Sequence, residues 1–185
     1  MTIAHNAILA GFSEFYIELW IKLKANDLPL TVYSNAEILN KGIRSGPIEW
    51  EIFRCNRDWD GVETGDATGM SVVGNGYSLG LFFPLLITDF NVYYHLAFQW
   101  NGGLTTSAIS ATKDNVSLNS TNPFESAEFT VIEGDIGDIT IGNNPIGGGV
   151  GAAENDIAII RIWDSIPSDE TKLLLYNNDR VKFGK

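Results

Sequence analysis

The nine residues FYIELWIKL, Phe15–Leu23, decide the fold class of this chain. Apolar side chains recur at every second position of this run, and Tyr, Glu, Trp and Lys fill the positions between them. A period of two is typical of a β-strand with one face in the core and one face partly in contact with water. The run therefore predicts a sheet rather than a helix.

Runs of the same kind recur along the sequence. Residues 48–53 alternate similarly, and residues 77–83 and 92–100 are denser apolar runs, the first ended by Pro84 and the second by Asn101-Gly102-Gly103. Shorter strands are predicted at residues 105–111, 128–132, 136–141 and 157–163, with long loops at residues 55–75 and 143–155. Many short strands separated by turns favour an antiparallel two-sheet sandwich.

One segment near the C-terminus has helical signals. Ser168 is a suitable N-cap, and the two acidic residues after it favour the positive end of the helix dipole. An apolar stripe follows, and Asn177-Asn178 predicts where the helix ends. We therefore expect one short C-terminal helix.

The length of the chain indicates how many domains it has, and its charge argues against some functional classes. The 185 residues favour a single domain over 1–185, with residues 1–12 as a candidate N-terminal arm. Twelve Lys and Arg against 23 Asp and Glu give a net charge of −11, which argues against nucleic-acid binding. The single cysteine, Cys55, has no partner for an intrachain disulfide. We find no apolar run long enough to insert into a membrane and no leader pattern in residues 1–10.

Five segments, in order along the chain, carry a resemblance to a known family. Residues 15–22 are similar to an opening strand F-T-I-E-F-W-V, and residues 160–163 with the following helix are similar to a closing motif V-R-I-W…L-S-D-E-E-I. Between them, residues 38–42, 94–98 and 139–142 resemble I-L-S-K-G, W-H-H-V-A and L-x-I-G. Together they resemble the laminin G-like branch of the concanavalin A-like lectin/glucanase superfamily. The resemblance implies an all-β fold, an antiparallel two-sheet jelly-roll sandwich.

The sequence departs from that family at one place. The family commonly has I-D-E-V before the closing motif, whereas this chain has Ile157-Ala158-Ile159-Ile160. Two acidic positions have become apolar, so a role that those carboxylates have in relatives is not carried over.

Two short motifs resemble catalytic motifs but are better explained as structural features. Glu133, Asp135 and Asp138 approach the E-x-D-x-x-E strand of laminarinase-type relatives, but an Asp replaces the second Glu and glycines flank the acids. Gly76-Tyr77-Ser78-Leu79-Gly80 matches G-x-S-x-G, but a strand-like run follows where a nucleophile elbow needs a helix. We therefore expect no enzyme activity.

The most distinctive candidate site lies in the predicted loop 55–75. Asp58, Asp60, Glu63 and Asp66 place four carboxylates within nine residues, and such oxygens suit calcium. Trp59, between two of these acids, offers an indole face on which a sugar ring could stack. The alternatives left open are a solvated acidic loop and a tryptophan that packs in the core or at an interface.

Relatives in the family are glycan-binding modules, adhesion domains and some glycosidases, so the fold alone does not decide the function. Our leading expectation is a lectin-type adhesion module that recognises glycans and works on a surface, either extracellular or on a virion. The alternative is a viral structural protein, for capsid decoration or tail attachment, that uses the jelly roll as an assembly unit. A glycoside hydrolase is third. The expected partners are glycans or other virion or surface proteins, and a homo-oligomer is left open.

Overall fold

The computed structural model describes residues 2–3, 11–24, 36–42, 48–57, 63–74, 77–85, 87–130, 138–142 and 155–185. Within these ranges lie twelve strands, one α-helix and two short 3-10 turns. The strands are β1 (Thr2–Ile3), β2 (Phe15–Leu23), β3 (Ala36–Gly42), β4 (Ile48–Arg57), β5 (Glu63–Gly74), β6 (Tyr77–Pro84), β7 (Tyr94–Trp100), β8 (Ile109–Lys113), β9 (Val116–Ser117), β10 (Thr121–Glu125), β11 (Ile139–Ile141) and β12 (Asn155–Trp163), and the helix is α1 (Asp169–Arg180).

The strands form two sheets. One has seven strands in the order β1-β11-β3-β4-β5-β6-β10, and the other has five in the order β12-β2-β7-β8-β9. All pairings among the described strands are antiparallel. The predicted fold class, a jelly-roll β-sandwich with one short C-terminal helix, is confirmed. No helix among the described residues is long and apolar enough to span a membrane.

Large side chains from both sheets fill the space between them. The inward positions of β2, beginning with Phe15, are fully buried. The Phe15 ring lies 5.7 Å from the ring of Trp50 on β4 and 6.0 Å from that of Trp100 on β7. Residues 50 and 100 belong to different sheets, so these rings join the two layers into one core.

The prediction of a long loop at residues 55–75 is wrong. β4 and β5 pair from Arg57 opposite Glu63 to Trp50 opposite Val72. Ala67, Met70 and Val72 are fully buried. Their burial and the pairing of β5 on both sides outweigh the low strand propensity of the glycines and acidic residues in this stretch.

Other predicted boundaries also change. Glu128 lies in a turn, not a strand, and Phe129 after it is buried in the core. The run 105–111 begins as a 3-10 turn, Thr106–Ala108, before β8 starts. The helix continues beyond Asn177-Asn178 to Arg180. Its last turn is held by contacts with the sheet that local propensity does not reveal.

The described parts of residues 1–12 belong to the sandwich. Thr2 and Ile3 pair with Thr140 and Ile139 of β11. Phe12 is buried, with its ring 6.2 Å from that of Phe15. Both ends of the candidate arm are therefore held against this chain's own sheets.

Candidate functional site

The C-terminal helix packs on the outer face of the five-stranded sheet, over β2 and β7. The alternation in β2 predicts that Tyr16, Glu18, Trp20 and Lys22 lie on a partly wet face. Lys22 is partly exposed as predicted, but the prediction is wrong for the other three. Tyr16 is 4% exposed, and Glu18 and Trp20 are fully buried. Such burial of a carboxylate requires a partner that compensates its charge.

Aromatic stacking holds the helix on the sheet. The Trp20 ring stacks on Phe183 at 4.4 Å and on Tyr176 at 5.9 Å, and Tyr176 also lies 5.3 Å from the ring of His95 on β7. The Ser168 hydroxyl accepts a hydrogen bond from the Thr171 backbone N–H, so the predicted N-cap is confirmed. Ring contacts of this kind add to the free energy gained from apolar burial.

A cluster of charged groups lies beneath the helix. Arg161 of β12 donates to Glu18 and lies 2.7 Å from Asp179 of α1, which also bonds Lys182 at 2.7 Å. His95 Nε2 lies 3.3 Å from the second oxygen of Glu18, to which the Tyr16 hydroxyl also donates. The cluster therefore ties β12, β2, β7 and α1 together, and supplies the partners that buried Glu18 needs.

The environment shifts the acid–base equilibria of Asp179 and Tyr16 in the cluster. Burial raises the pKa of Asp179, but hydrogen bonds from Arg161 and Lys182 outweigh it, and the net pKa lies below the usual range. Burial raises the pKa of Tyr16, and the charge of Glu18 raises it further. At neutral pH the carboxylate of Asp179 is therefore ionised and the Tyr16 hydroxyl is neutral.

An open groove lies beside the first half of α1. Its volume is about 430 Å³, its floor is the outer face of β7, β8 and β9, and α1 forms one wall. Its lining combines the polar residues Gln99, Ser110, Thr112, Asn115, Ser117, Asp169 and Lys172 with Tyr16, Ala97, Phe98, Ala111, Leu118 and Leu173. We call it the α1 groove.

One cation organises the polar side of the α1 groove. The Lys172 ammonium donates to the Gln99 amide oxygen at 3.0 Å and to Asp169 at 3.3 Å, and it lies 5.3 Å from the centre of the Tyr16 ring. The Lys172 side chain is only 17% exposed, whereas that of Asp169 is fully exposed. Lys172 is thus a positioned donor, held in place by Gln99 and by the Tyr16 ring.

A tight hairpin shapes the far end of the α1 groove. Asp114 and Asn115, between β8 and β9, have φ values of 49° and 63°, and a two-residue turn with both φ positive matches the twist of an antiparallel pair. Asp114 Oδ1 accepts from the His95 backbone N–H at 3.1 Å, and its other oxygen bonds Lys185 at 3.0 Å. The turn and Asn115 at its tip are therefore fixed to β7 and to the C-terminus.

The candidate calcium and sugar site falls mostly outside the described residues. Asp58, Trp59 and Asp60 lie outside them, whereas Glu63 and Asp66 belong to β5 rather than to a loop. Calcium binding and sugar stacking at this site stay predictions. Among the side chains that the structure describes, no three potential metal ligands come together.

The two motifs that resemble catalytic motifs also lie partly outside the described residues. Glu133 and Asp135 lie outside the described residues, and Asp138 directly precedes β11. Ser78 lies inside β6, which pairs with β5 through Ser78 opposite Val73. The G-x-S-x-G stretch therefore lacks the strand–turn–helix setting of a nucleophile elbow.

Sequence reasoning missed the α1 groove because its walls come from distant segments. The Lys172–Gln99 pair spans 73 residues, and neither residue stands out in its local pattern. One signal was present: Gln99 and Thr112 fall at outward positions of strands whose inward positions are apolar. Polar outward positions alone, however, are common on any sandwich.

No protein-family model matches this sequence, and no curated protein matches it. Solved structures match across nearly the whole chain. The receptor binding domain of botulinum neurotoxin type G gives a TM-score of 0.58 at 12% identity over 96% of this chain, which spans 42% of that domain's length. The CBM40 domain of the Ruminococcus gnavus IT-sialidase gives 0.52 at 11% identity, covering 95% of this chain and 98% of that domain.

The same CBM40 domain with α2,3-sialyllactose bound gives a TM-score of 0.51 at 10% identity. At such low identities the likeness concerns the fold alone: this chain has a two-sheet β-sandwich of the kind found in these domains. The laminin G-like branch stays an interpretation of the sequence motifs.

Proposed function

We propose that this chain is a non-catalytic glycan-binding module of the lectin type, and that the α1 groove takes part in binding the sugar. The observation that carries the proposal is the α1 groove. It is open, has a volume of about 430 Å³ and is lined by hydroxyl, amide, ammonium and carboxylate groups. The likeness of the fold to a domain solved with sialyllactose bound supports the same class of ligand.

The groups in the α1 groove suit the chemistry of a sugar. Each sugar hydroxyl both donates and accepts hydrogen bonds, and the Gln99 amide and the Ser110 and Thr112 hydroxyls do the same. Ser110 is exposed and Thr112 is partly exposed, and both lie on β8, a regular strand. Groups held on a regular strand lose little conformational entropy when a ligand binds.

Lys172 decides which sugars the α1 groove can favour. Its ammonium can donate to sugar hydroxyls, or to the carboxylate of an acidic sugar if that carboxylate displaces fully exposed Asp169. Neutral and acidic glycans are therefore both proper probes.

Binding without catalysis is part of the proposal. Glycoside hydrolysis generally needs two carboxyl groups that flank one bond. Among the described residues that line the α1 groove, Asp169 supplies one carboxylate, and the rest are neutral or cationic. Reducing-sugar release from a bound glycan would contradict this part.

A glycan array of neutral and acidic oligosaccharides, probed with and without a chelator, tests the function. For a glycan that binds, Ser110→Trp, which places a bulky ring in the α1 groove, is expected to weaken binding at least about 10-fold. Thr130→Trp, which places the same ring at an exposed position outside the α1 groove, is the matched control. Binding of no glycan would refute the function, and binding that Ser110→Trp leaves unchanged would refute the location alone.

That the chain acts on the surface of a virion or outside a cell stays a proposal that rests on the sequence. Cosedimentation of the purified chain with candidate particles or cells tests it. Retention of the chain on the particle in the presence of competing glycan would favour an assembly role over adhesion.

A further inference from the structure

A second groove lies between β9 and β10, which are edge strands of the two sheets. Its volume is about 400 Å³, within the usual range for a small-molecule site. We call it the β9 groove. Half of its described lining is apolar: Leu85 is fully buried, Leu118 packs against the core, Pro84 is partly exposed and Val116 is 67% exposed. An apolar group that enters the β9 groove is therefore shielded from water.

A lysine occupies a core-facing position beside these apolar residues. Ile109 and Ala111, at alternate positions of β8, are 4% and 3% exposed and face the core. Lys113 is the next residue on the same face, and it pairs with fully buried Leu96 of β7. Inward positions of a sandwich strand are normally apolar, so a cation at this position needs a reason.

The groups around the Lys113 ammonium compensate its charge only in part. It donates to the Leu85 carbonyl oxygen at 2.5 Å and lies 5.3 Å from the centre of the Tyr94 ring, and both groups are neutral. Burial lowers the pKa of Lys113; the charge of Asp114 partly offsets this effect, and that of Lys185 adds to it. Asp114 itself bonds the backbone of β7 and Lys185. An anion in the β9 groove would therefore stabilise the charged form of Lys113.

We propose that the β9 groove binds an amphiphilic monocarboxylate of the medium-chain fatty acid type. The carboxylate bonds the Lys113 ammonium, and the alkyl chain covers Val116 and Leu118. Among the described residues that line the groove, Lys113 alone carries a charge, so one ammonium balances one negative charge. A doubly charged phosphate would keep an uncompensated charge beside apolar side chains, which is unfavourable.

The β9 groove and the α1 groove lie on opposite sides of β9. Successive side chains of a strand point to opposite faces. Ser117 pairs with Thr112, on the side of the α1 groove, whereas Val116 pairs with Lys113. The two grooves meet at Ser117 and Leu118, which line both. The proposed carboxylate site is thus adjacent to the glycan site but does not depend on it.

Calorimetric titration with octanoate tests the proposal, and octylamine, which has the same alkyl chain but a positive charge, is the ligand control. We expect octanoate to bind and octylamine not to bind. Lys113→Met keeps an unbranched side chain without the charge, and should weaken octanoate binding at least about 10-fold, the usual effect of losing a hydrogen bond to a charged group. Lys22→Met removes the same charge on β2, outside the β9 groove, and should leave binding unchanged.

Val116→Asp decides the test if Lys113→Met fails to fold, because position 116 is exposed. Its carboxylate lies opposite Lys113 and competes with the ligand for the ammonium, so octanoate binding should weaken similarly. Ser110→Trp, which blocks the α1 groove, should leave octanoate binding unchanged, whether or not a glycan binds there.

Three results would overturn the proposal: no binding of octanoate to the wild type, equal binding of octylamine, or octanoate binding that folded Lys113→Met and Val116→Asp both retain. In each case the lysine stem would only cover the end of the core, with its ammonium turned to water. Loss of octanoate binding in Ser110→Trp would contradict the assignment to the β9 groove.

Discussion

The charged cluster beneath α1 makes a quantitative prediction about stability. Arg161→Met removes the guanidinium that contacts both Glu18 and Asp179, and keeps an unbranched apolar side chain on β12. Glu18 then keeps His95 and Tyr16 as partners, and Asp179 keeps Lys182. Both carboxylates stay buried but lose their shared cation.

The expected loss follows from the burial of the partners. Removing one member of a buried ion pair typically costs about 3–5 kcal/mol, because the remaining charge is left uncompensated. Arg161 is 30% exposed and other partners remain, so we expect about 3 kcal/mol. For a chain of this size that corresponds to a fall in melting temperature of roughly 6–12 °C.

Urea unfolding, followed by circular dichroism and by tryptophan fluorescence, measures the loss. Lys22→Met is the matched control, because the Lys22–Asp156 pair on the same sheet is 31% and 45% exposed, and pairs so exposed contribute little to stability. A loss below about 1 kcal/mol for Arg161→Met would refute the reasoning, since the cluster would then behave like an ordinary surface pair.

The same cluster predicts a pH dependence. The pKa of Asp179 is lowered in the folded chain. The contribution of this carboxylate to stability is therefore complete above about pH 3.9, the pKa of an aspartate in an unfolded chain. It is lost as the pH falls through the lower pKa of the folded chain. The difference between wild type and Arg161→Met should therefore narrow below about pH 4. A difference that persists unchanged to pH 2 would contradict the assigned role of Asp179.

Two further predictions concern the hydroxyl in the cluster and the acidic segment. Because burial raises the pKa of Tyr16, the contribution of this hydroxyl to stability is complete below about pH 10 and is lost above it. Tyr16→Phe should therefore flatten the fall in melting temperature at alkaline pH. A fall as steep as that of the wild type would contradict this prediction. If calcium binds at Asp58 and Asp60, the melting temperature should be higher in millimolar calcium than in chelator. Asp58→Asn should abolish this difference. Equal melting temperatures of the wild type under the two conditions would refute the calcium hypothesis.

Alternation in residues 15–23 and dense apolar runs at residues 77–83 and 92–100 predicted three strands well. β2, β6 and β7 lie within two residues of their predicted bounds, and the Ser168 cap is confirmed. β5 was missed because Gly and Asp residues there obscure an alternation that only pairing with β4 and β6 enforces. Local patterns therefore located the strands, whereas strand propensity failed where neighbouring strands decide the structure.

The candidate site could not be found this way, because it depends on contacts across long stretches of sequence. Glu18 at an outward position of β2 indicates a wet face until its partner Arg161, 143 residues later, is known. That ion pair, with the stacking of Trp20 on Tyr176 and Phe183, holds α1 on the sheet. Since α1 forms one wall of the α1 groove, a variant that releases the helix should lose the groove while both sheets persist. Stability and binding are thus linked through one docked helix, and glycan binding by Arg161→Met should weaken at temperatures where the sheets are still folded.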